Sequence, residues 1–187
     1  MKKLLATLIV LLFFSFCNEL LAGKYSDGYI IKKEDTILCQ IRTPQIIQGL
    51  CQACLQNIVL IKDSTGKETE YKPTELDGFG FVYNKEKYDF VPKEIIQGKP
   101  PYFARIVILG KKLNLYSFTE ASNTGGTNHY LLEDDKKRTV QFIQQGANGK
   151  RMKEFFIDQP ELLALYKQKR PTFWELPDFV NIVNTKM

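Results

Sequence analysis

The sequence predicts an α+β fold: an antiparallel β-meander or partly open barrel, followed by two to three C-terminal helices. Three observations predict it. From Gly28 to about Gln145, short segments rich in β-branched and aromatic residues are separated by turn residues. From Met152 onward the apolar spacing changes from two residues to three or four. Strands come first and helices last, so the elements are segregated along the chain rather than alternating as βαβ units.

The chain opens with Lys2 and Lys3, then an apolar run from Leu4 to Phe16, the layout of a secretory signal peptide. Ala22 and Gly23 are small residues at which a peptidase would cut. Residues 1–23 are therefore expected to be removed, and residues 24–187 to form a single secreted domain, β-rich over 24–146 and helical over 147–187. Cys17 supports a rival reading, a lipid anchor on its thiol, but Phe16 stands before it where a small side chain is usual. No later stretch is long and apolar enough to span a membrane as a helix; "YFARIVILG" is strand-sized and carries Arg105.

About 160 residues are enough to bury roughly two thirds of the unfolded chain's surface, so one core holds without staples. The net charge of +5 falls by one when Lys2, Lys3 and Glu19 of the leader are set aside. The remaining lysines are scattered among acids, which gives no electrostatic case for nucleic acid.

Within the β region, "GYIIKKEDTILCQIRT" forms two strands around Lys33, Glu34 and Asp35. "NIVLIKDSTGKETEYKP" forms two more around Asp63 to Gly66, where glycine supplies the positive φ of the turn. "LDGFGFVY" sets Phe79 and Phe81 on one face and Gly78 and Gly80 on the other, a bare backbone that a neighbour can approach closely. The clearest hairpin is "YFARIVILGKKLNLYSFT": Phe103, Arg105, Val107 and Leu109 alternate with Ala104, Ile106 and Ile108 before a turn at Gly110, Lys111 and Lys112. "ASNTGGTN", residues Ala121 to Asn128, is too polar and glycine-rich to hold an element and reads as a mobile connection. "HYLLE" and "RTVQFIQ" then pair across a charged turn, Glu133 to Lys137.

Met152, Phe155 and Phe156 share a helical face. Asp158 and Glu161 resemble a capping box, with Pro160 in the first turn of a second helix that buries Leu162, Leu163, Leu165 and Tyr166 and ends before Pro171. Leu176, Phe179, Val180 and Val183 repeat at i, i+3, i+4, i+7 and mark a third.

The leader, "GYIIKKEDTILCQI", "YKPTELDGF", "LNLYSF", "EFFIDQPEL" and "FVNIV" together resemble a group of secreted proteins from Bacteroidetes-type bacteria. The resemblance runs over nearly the whole mature chain. It implies an envelope location and this layout of elements, and it carries over no catalytic residue.

The chemical candidates are few. Cys51 and Cys54 have the spacing of a dithiol redox pair, but they fall between two predicted hairpins rather than at the start of a helix that would lower a thiol's pKa. With Cys39 and His129 they are also the only candidate set for a structural zinc, and no second Cys-x-x-Cys completes it. In an oxidising compartment the expected fate is one disulfide among Cys39, Cys51 and Cys54. The short ring between Cys51 and Cys54 would stabilise little, so a bridge from Cys39 is favoured.

His129 is the only histidine, and without a nucleophile signature it reads as a surface or hydrogen-bonded side chain. Asp134 with Asp135, and Glu75 with Asp77, are adjacent acids in turns, a poor basis for a glycosidase pair. Trp174, the only tryptophan, reads as packing between the second and third helices. "NTGGTN" lacks the lysine and following helix of a phosphate loop. These residues lead to an expectation of no catalytic residue and no cofactor. The expected function is binding of an unknown envelope protein or ligand in the periplasm or outside the cell, with thiol-redox or redox-sensing chemistry at Cys51 and Cys54 as the alternative.

Overall fold

A computed structural model describes residues 24–186 apart from 47–48, 96–97, 123–124 and 145. The expected leader, with Cys17, lies outside the described residues.

The strands β1 (Lys24–Lys32), β2 (Asp35–Thr43), β5 (Val59–Lys62), β6 (Glu68–Tyr71), β7 (Gly78–Tyr83), β8 (Glu86–Lys93), β9 (Tyr102–Ile108), β10 (Leu113–Ser122), β11 (Gly125–Asp134) and β12 (Thr139–Ile143) form one open antiparallel sheet. A two-stranded ribbon, β3 (Gln45–Ile46) with β4 (Gly49–Leu50), precedes a 3-10 turn at Gln52–Leu55. Three helices close the chain: α1 (Gly149–Phe155), α2 (Pro160–Lys169) and α3 (Leu176–Lys186). The α+β architecture is the one the sequence predicts. No helix among the described residues is long and apolar enough to cross a membrane.

From β7 to β12 the sheet is a plain meander. Before it the order changes, because the β5–β6 hairpin packs on β2 and β7 returns to the free side of β1. Glycines make that return possible. A Cβ on Gly28 would lie 2.3 Å from the Gly80 carbonyl oxygen, and a Cβ on Gly80 would lie 2.8 Å from the Tyr29 ring. The Tyr29 ring instead occupies the space beside Gly80 and its hydroxyl donates to Asp89 Oδ1 at 2.7 Å, so the bare face expected around Gly78 and Gly80 is used as a crossing point.

The turns follow local chemistry. Lys33 and Glu34 both take positive φ (51° and 71°), as do Asn84 and Lys85 (50° and 69°), the geometry of two-residue hairpin turns matched to strand twist. β8 is a strand that the sequence does not announce: Tyr88 and Phe90 alternate with Asp89, but the run is short and ends on Pro92, which cannot donate to a ladder. "ASNTGGTN" is corrected. β10 runs on to Ser122 and β11 starts at Gly125, and continuous pairing of their backbones offsets the poor propensity of the residues.

One face of the sheet carries two apolar clusters. At one end Phe79, Phe81, Phe90 and Phe103 pack as cross-strand aromatics, with Phe79 4.7 Å from Phe90 and 4.9 Å edge-on to Phe103. At the other end Leu113, Leu115, Leu132 and Phe142 meet Met152, Phe156, Leu162, Phe179, Val180 and Val183 of the helices. The expected capping box is corrected too: Gln159 is the α2 N-cap, and Asp158 pairs with Arg138 Nη1 at 2.9 Å. Asn184 locks α3 onto the β9–β10 turn. Its Oδ1 accepts from Lys112 N (3.1 Å) and Leu113 N (3.0 Å), while Nδ2 donates to Leu113 O at 2.9 Å.

Candidate functional site: a cleft between the two clusters

β9 and β10 pair only as far as Arg105 and Ser117, and a bulge beside Tyr116 starts their divergence. Gln56 fills the gap. Its backbone oxygen accepts from Phe103 N at 2.8 Å. Oriented to suit both partners, its side-chain amide donates to Thr119 O (2.7 Å) and accepts from Thr119 N (2.6 Å).

The segment that delivers Gln56 is the 3-10 turn, closed at its start by a disulfide between Cys51 and Cys54, whose Cα atoms are 5.4 Å apart. Leu55 anchors the turn in the Phe79 cluster. The bridge favoured from Cys39 is therefore not the one formed. Cys39 is a free, half-buried thiol on β2, packed against the Phe79 cluster, and burial pushes its pKa up despite a backbone hydrogen bond from Ile30. The tight turn brings Cys51 and Cys54 within bridging reach by itself. The pair spans one 3-10 turn, with Cys51 at its N-cap, rather than opening an α-helix, so no α-helix dipole acts on either sulfur.

Between this turn and the corner at Phe173 and Trp174 lies an open cleft of about 480 Å³. Its floor is a single cross-strand row. Phe90 pairs with Arg105, Arg105 with Ser117, and Ser117 with Tyr130; Phe79 extends the row at one end and Phe142 at the other. Four aromatic residues thus flank a polar pair, Arg105 and Ser117, on the face that carries both apolar clusters. The Tyr88 ring lies 4.2 Å from the Arg105 guanidinium, a cation–π contact that holds the group in place. Arg105 Nε is sealed from water with no hydrogen-bond partner, and no hydrogen bond or ion pair joins the guanidinium to any described residue. An unmet buried donor of this kind costs about 1–3 kcal/mol.

Trp174 forms the outer wall. It is 69% exposed and stands edge-on to Phe173, which is itself buried on Tyr130 at 4.4 Å. The expectation that Trp174 packs between helices is overturned: Phe173 takes the buried place and its neighbour is turned outward.

His129 borders the cleft where β9 has left β10, but its ring is buried on the opposite face from Tyr130, stacked on Phe118 at 4.7 Å. The reading as a surface or hydrogen-bonded residue is corrected. Neither ring nitrogen has a hydrogen bond, and Glu120 Oε2 lies 3.3 Å from Nε2 without the alignment of one. Burial lowers the His129 pKa, and the Glu120 carboxylate only partly restores it.

The paired acids serve turns. Asp134 accepts from Lys136 N, Arg138 N and Arg138 Nε, Asp77 accepts from Lys33 N, and Glu75 accepts from Lys72 N. Asp135 is exposed beside them. No group of His, Cys, Asp and Glu suited to a metal ion occurs among the described residues.

Arg105 was visible in the sequence as a charge inside an apolar alternation, on the side shared with Phe103. Its partner Ser117 and, one strand further, Tyr130 were not, because register alone puts them in its row. Comparison with family models, with curated proteins and with solved structures gave no match.

Proposed function

We propose that this is a secreted or periplasmic binding protein that takes a ligand in the cleft between the Cys51–Cys54 turn and Trp174, without catalysing a reaction. The observation that carries the reading is the row Phe90–Arg105–Ser117–Tyr130, in which a polar pair interrupts an aromatic floor under an open cleft. Buried polar groups on an apolar face are costly, and ligand pockets are where such groups are placed. Among the described residues that line the cleft there is no carboxylate, the one histidine, His129, has no hydrogen-bonded partner to orient it, and Cys51 is held in the disulfide with Cys54, which supports recognition over acid–base or thiol chemistry. The leader-like start and the resemblance to secreted proteins support the envelope location, free or lipid-anchored through Cys17.

Equilibrium dialysis against an envelope extract, followed by mass spectrometry, tests the reading. The parent is expected to retain a small molecule that a cleft-filling Ser117→Phe variant does not. Turnover of chromogenic ester, glycoside or peptide substrates, abolished by the same substitution, would replace binding by catalysis. Thiol-redox or redox-sensing chemistry at Cys51 and Cys54 is the second reading, favoured by the exposure of Cys54. Insulin reduction by the parent but not by Cys51→Ser or Cys54→Ser would establish it.

A further inference from the structure

Resting on the binding reading, we infer that the cleft holds a monocarboxylate, its carboxyl group on Arg105 and its body, with one flat apolar face, against Trp174. Arg105 is the only cation among the described lining residues, and no lining carboxylate neutralises it. The Tyr88 ring covers one face of the guanidinium and Nε is shut off from water, so an acceptor must approach the planar fork from its Nη side. A planar carboxylate matches that fork with two parallel hydrogen bonds.

Besides His129, whose pKa burial lowers, Arg105 is the one basic side chain among the described lining residues, and no α-helix begins there, so the site balances one negative charge rather than the two of a phosphate monoester. Ser117, next to Arg105 in the row, offers a hydroxyl to the same group, and Asn128 and Thr119 offer further polar contacts along the wall. Trp174 and Phe173 provide an indole and a phenyl edge on the other side, surfaces that stack on an aromatic ring or on the apolar face of a sugar. An aryl acid and a uronic acid share this chemistry, and the test separates them.

Trp174 is the only tryptophan, so its fluorescence reports the cleft without a label. Titrations use 3-phenylpropionate and its amide, glucuronate and methyl glucoside, and inorganic phosphate. One or both carboxylates are expected to shift the emission, with the neutral analogues and phosphate weaker by about tenfold or more. The acid that responds identifies the source. Arg105→Gln is expected to remove the preference of acid over amide, and Arg105→Lys to keep part of it, with far-ultraviolet circular dichroism showing that each variant folds.

Equal affinity for acid and amide overturns the carboxylate assignment and leaves the cleft as a binding site. An unchanged preference in Arg105→Gln overturns the assignment to Arg105. No response to either carboxylate at about 10 mM overturns the proposal outright. Substrate turnover instead of reversible binding would sink the underlying reading.

Discussion

Gln56 spans the backbone of Thr119 with both ends of its amide, 2.7 Å from the carbonyl and 2.6 Å from the N–H, and so stands in for the strand partner that β10 lacks once β9 has turned away. Asn148 does the same at Ile143, and Asn184 at Leu113. The sheet is thus completed at three places by side-chain amides, each satisfying one backbone donor and one acceptor.

Gln56→Leu removes both bonds and leaves the N–H and C=O of half-buried Thr119 without their partner. A loss of about 2–4 kcal/mol in urea unfolding is expected, since each unmet group costs about 1–3 kcal/mol. Gln56→Glu is expected to cost at least as much at neutral pH, because a carboxylate cannot donate to the Thr119 carbonyl. A loss below about 0.5 kcal/mol for both variants would show that the amide carries no structural role.

Gly110 and Asn184 are coupled by space. A Cβ on Gly110 would lie 2.0 Å from Asn184 Nδ2, so Gly110→Ala must drive the amide off the β9–β10 turn. Each single variant, Gly110→Ala and Asn184→Ala, is expected to lose about 1–3 kcal/mol. In the double-mutant cycle the two losses are expected to overlap by at least about 1 kcal/mol, because once the amide is gone the added methyl meets no obstacle. Strict additivity would contradict the contact.

Reduction of the Cys51–Cys54 bridge frees only a four-residue ring, worth at most about 2 kcal/mol of chain entropy. The Cys51→Ser/Cys54→Ser protein is expected to remain folded, with a small fall in unfolding midpoint. Hydrogen exchange is expected to rise at the 3-10 turn and at Thr119 N, whose acceptor is delivered by that turn. Global unfolding on reduction would contradict this.

His129 makes stability depend on pH. Its native pKa is lowered, first by burial, from an ordinary value near 6.5. The unfolded chain therefore binds the proton more readily. Stability is fully present above pH 6.5 and is lost as pH falls through the native pKa. His129→Phe preserves the stack on Phe118 and removes a buried N–H without a partner, so it is expected to flatten this dependence and to match or exceed the parent's stability below pH 6. Denaturant unfolding at a series of pH values, with the imidazole titrated by NMR, checks both parts; a pKa above 6.5 would reverse the sign.

The strands and helices were legible where a local rule dominates. Phe79 and Phe81 alternate with glycines, Gly66 supplies its positive φ of 84°, and Leu176, Phe179, Val180 and Val183 repeat at helical spacing. The elements that were missed or misplaced are those in which pairing overrides propensity: β8 with its Pro92, and the ends of β10 and β11 around the glycine-rich segment. The site was less legible than the fold. Arg105 showed as a charge in an apolar strand, but Trp174 was assigned to the interior, because Phe173 and Trp174 are equally apolar neighbours and only the docked helices decide which one turns inward.

By itself the sequence determined the class of fold, the order of strands before helices and the turns at Lys33–Glu34, Asp63–Gly66, Gly110–Lys112 and Glu133–Lys137, since these rest on residue spacing and backbone preference within a few positions. Tertiary structure alone decided that β7 joins β1, that Cys54 rather than Cys39 takes Cys51, and that Arg105 and Ser117 meet beneath one cleft. Those are matters of register and close approach between residues far apart in the chain, and no local preference encodes them.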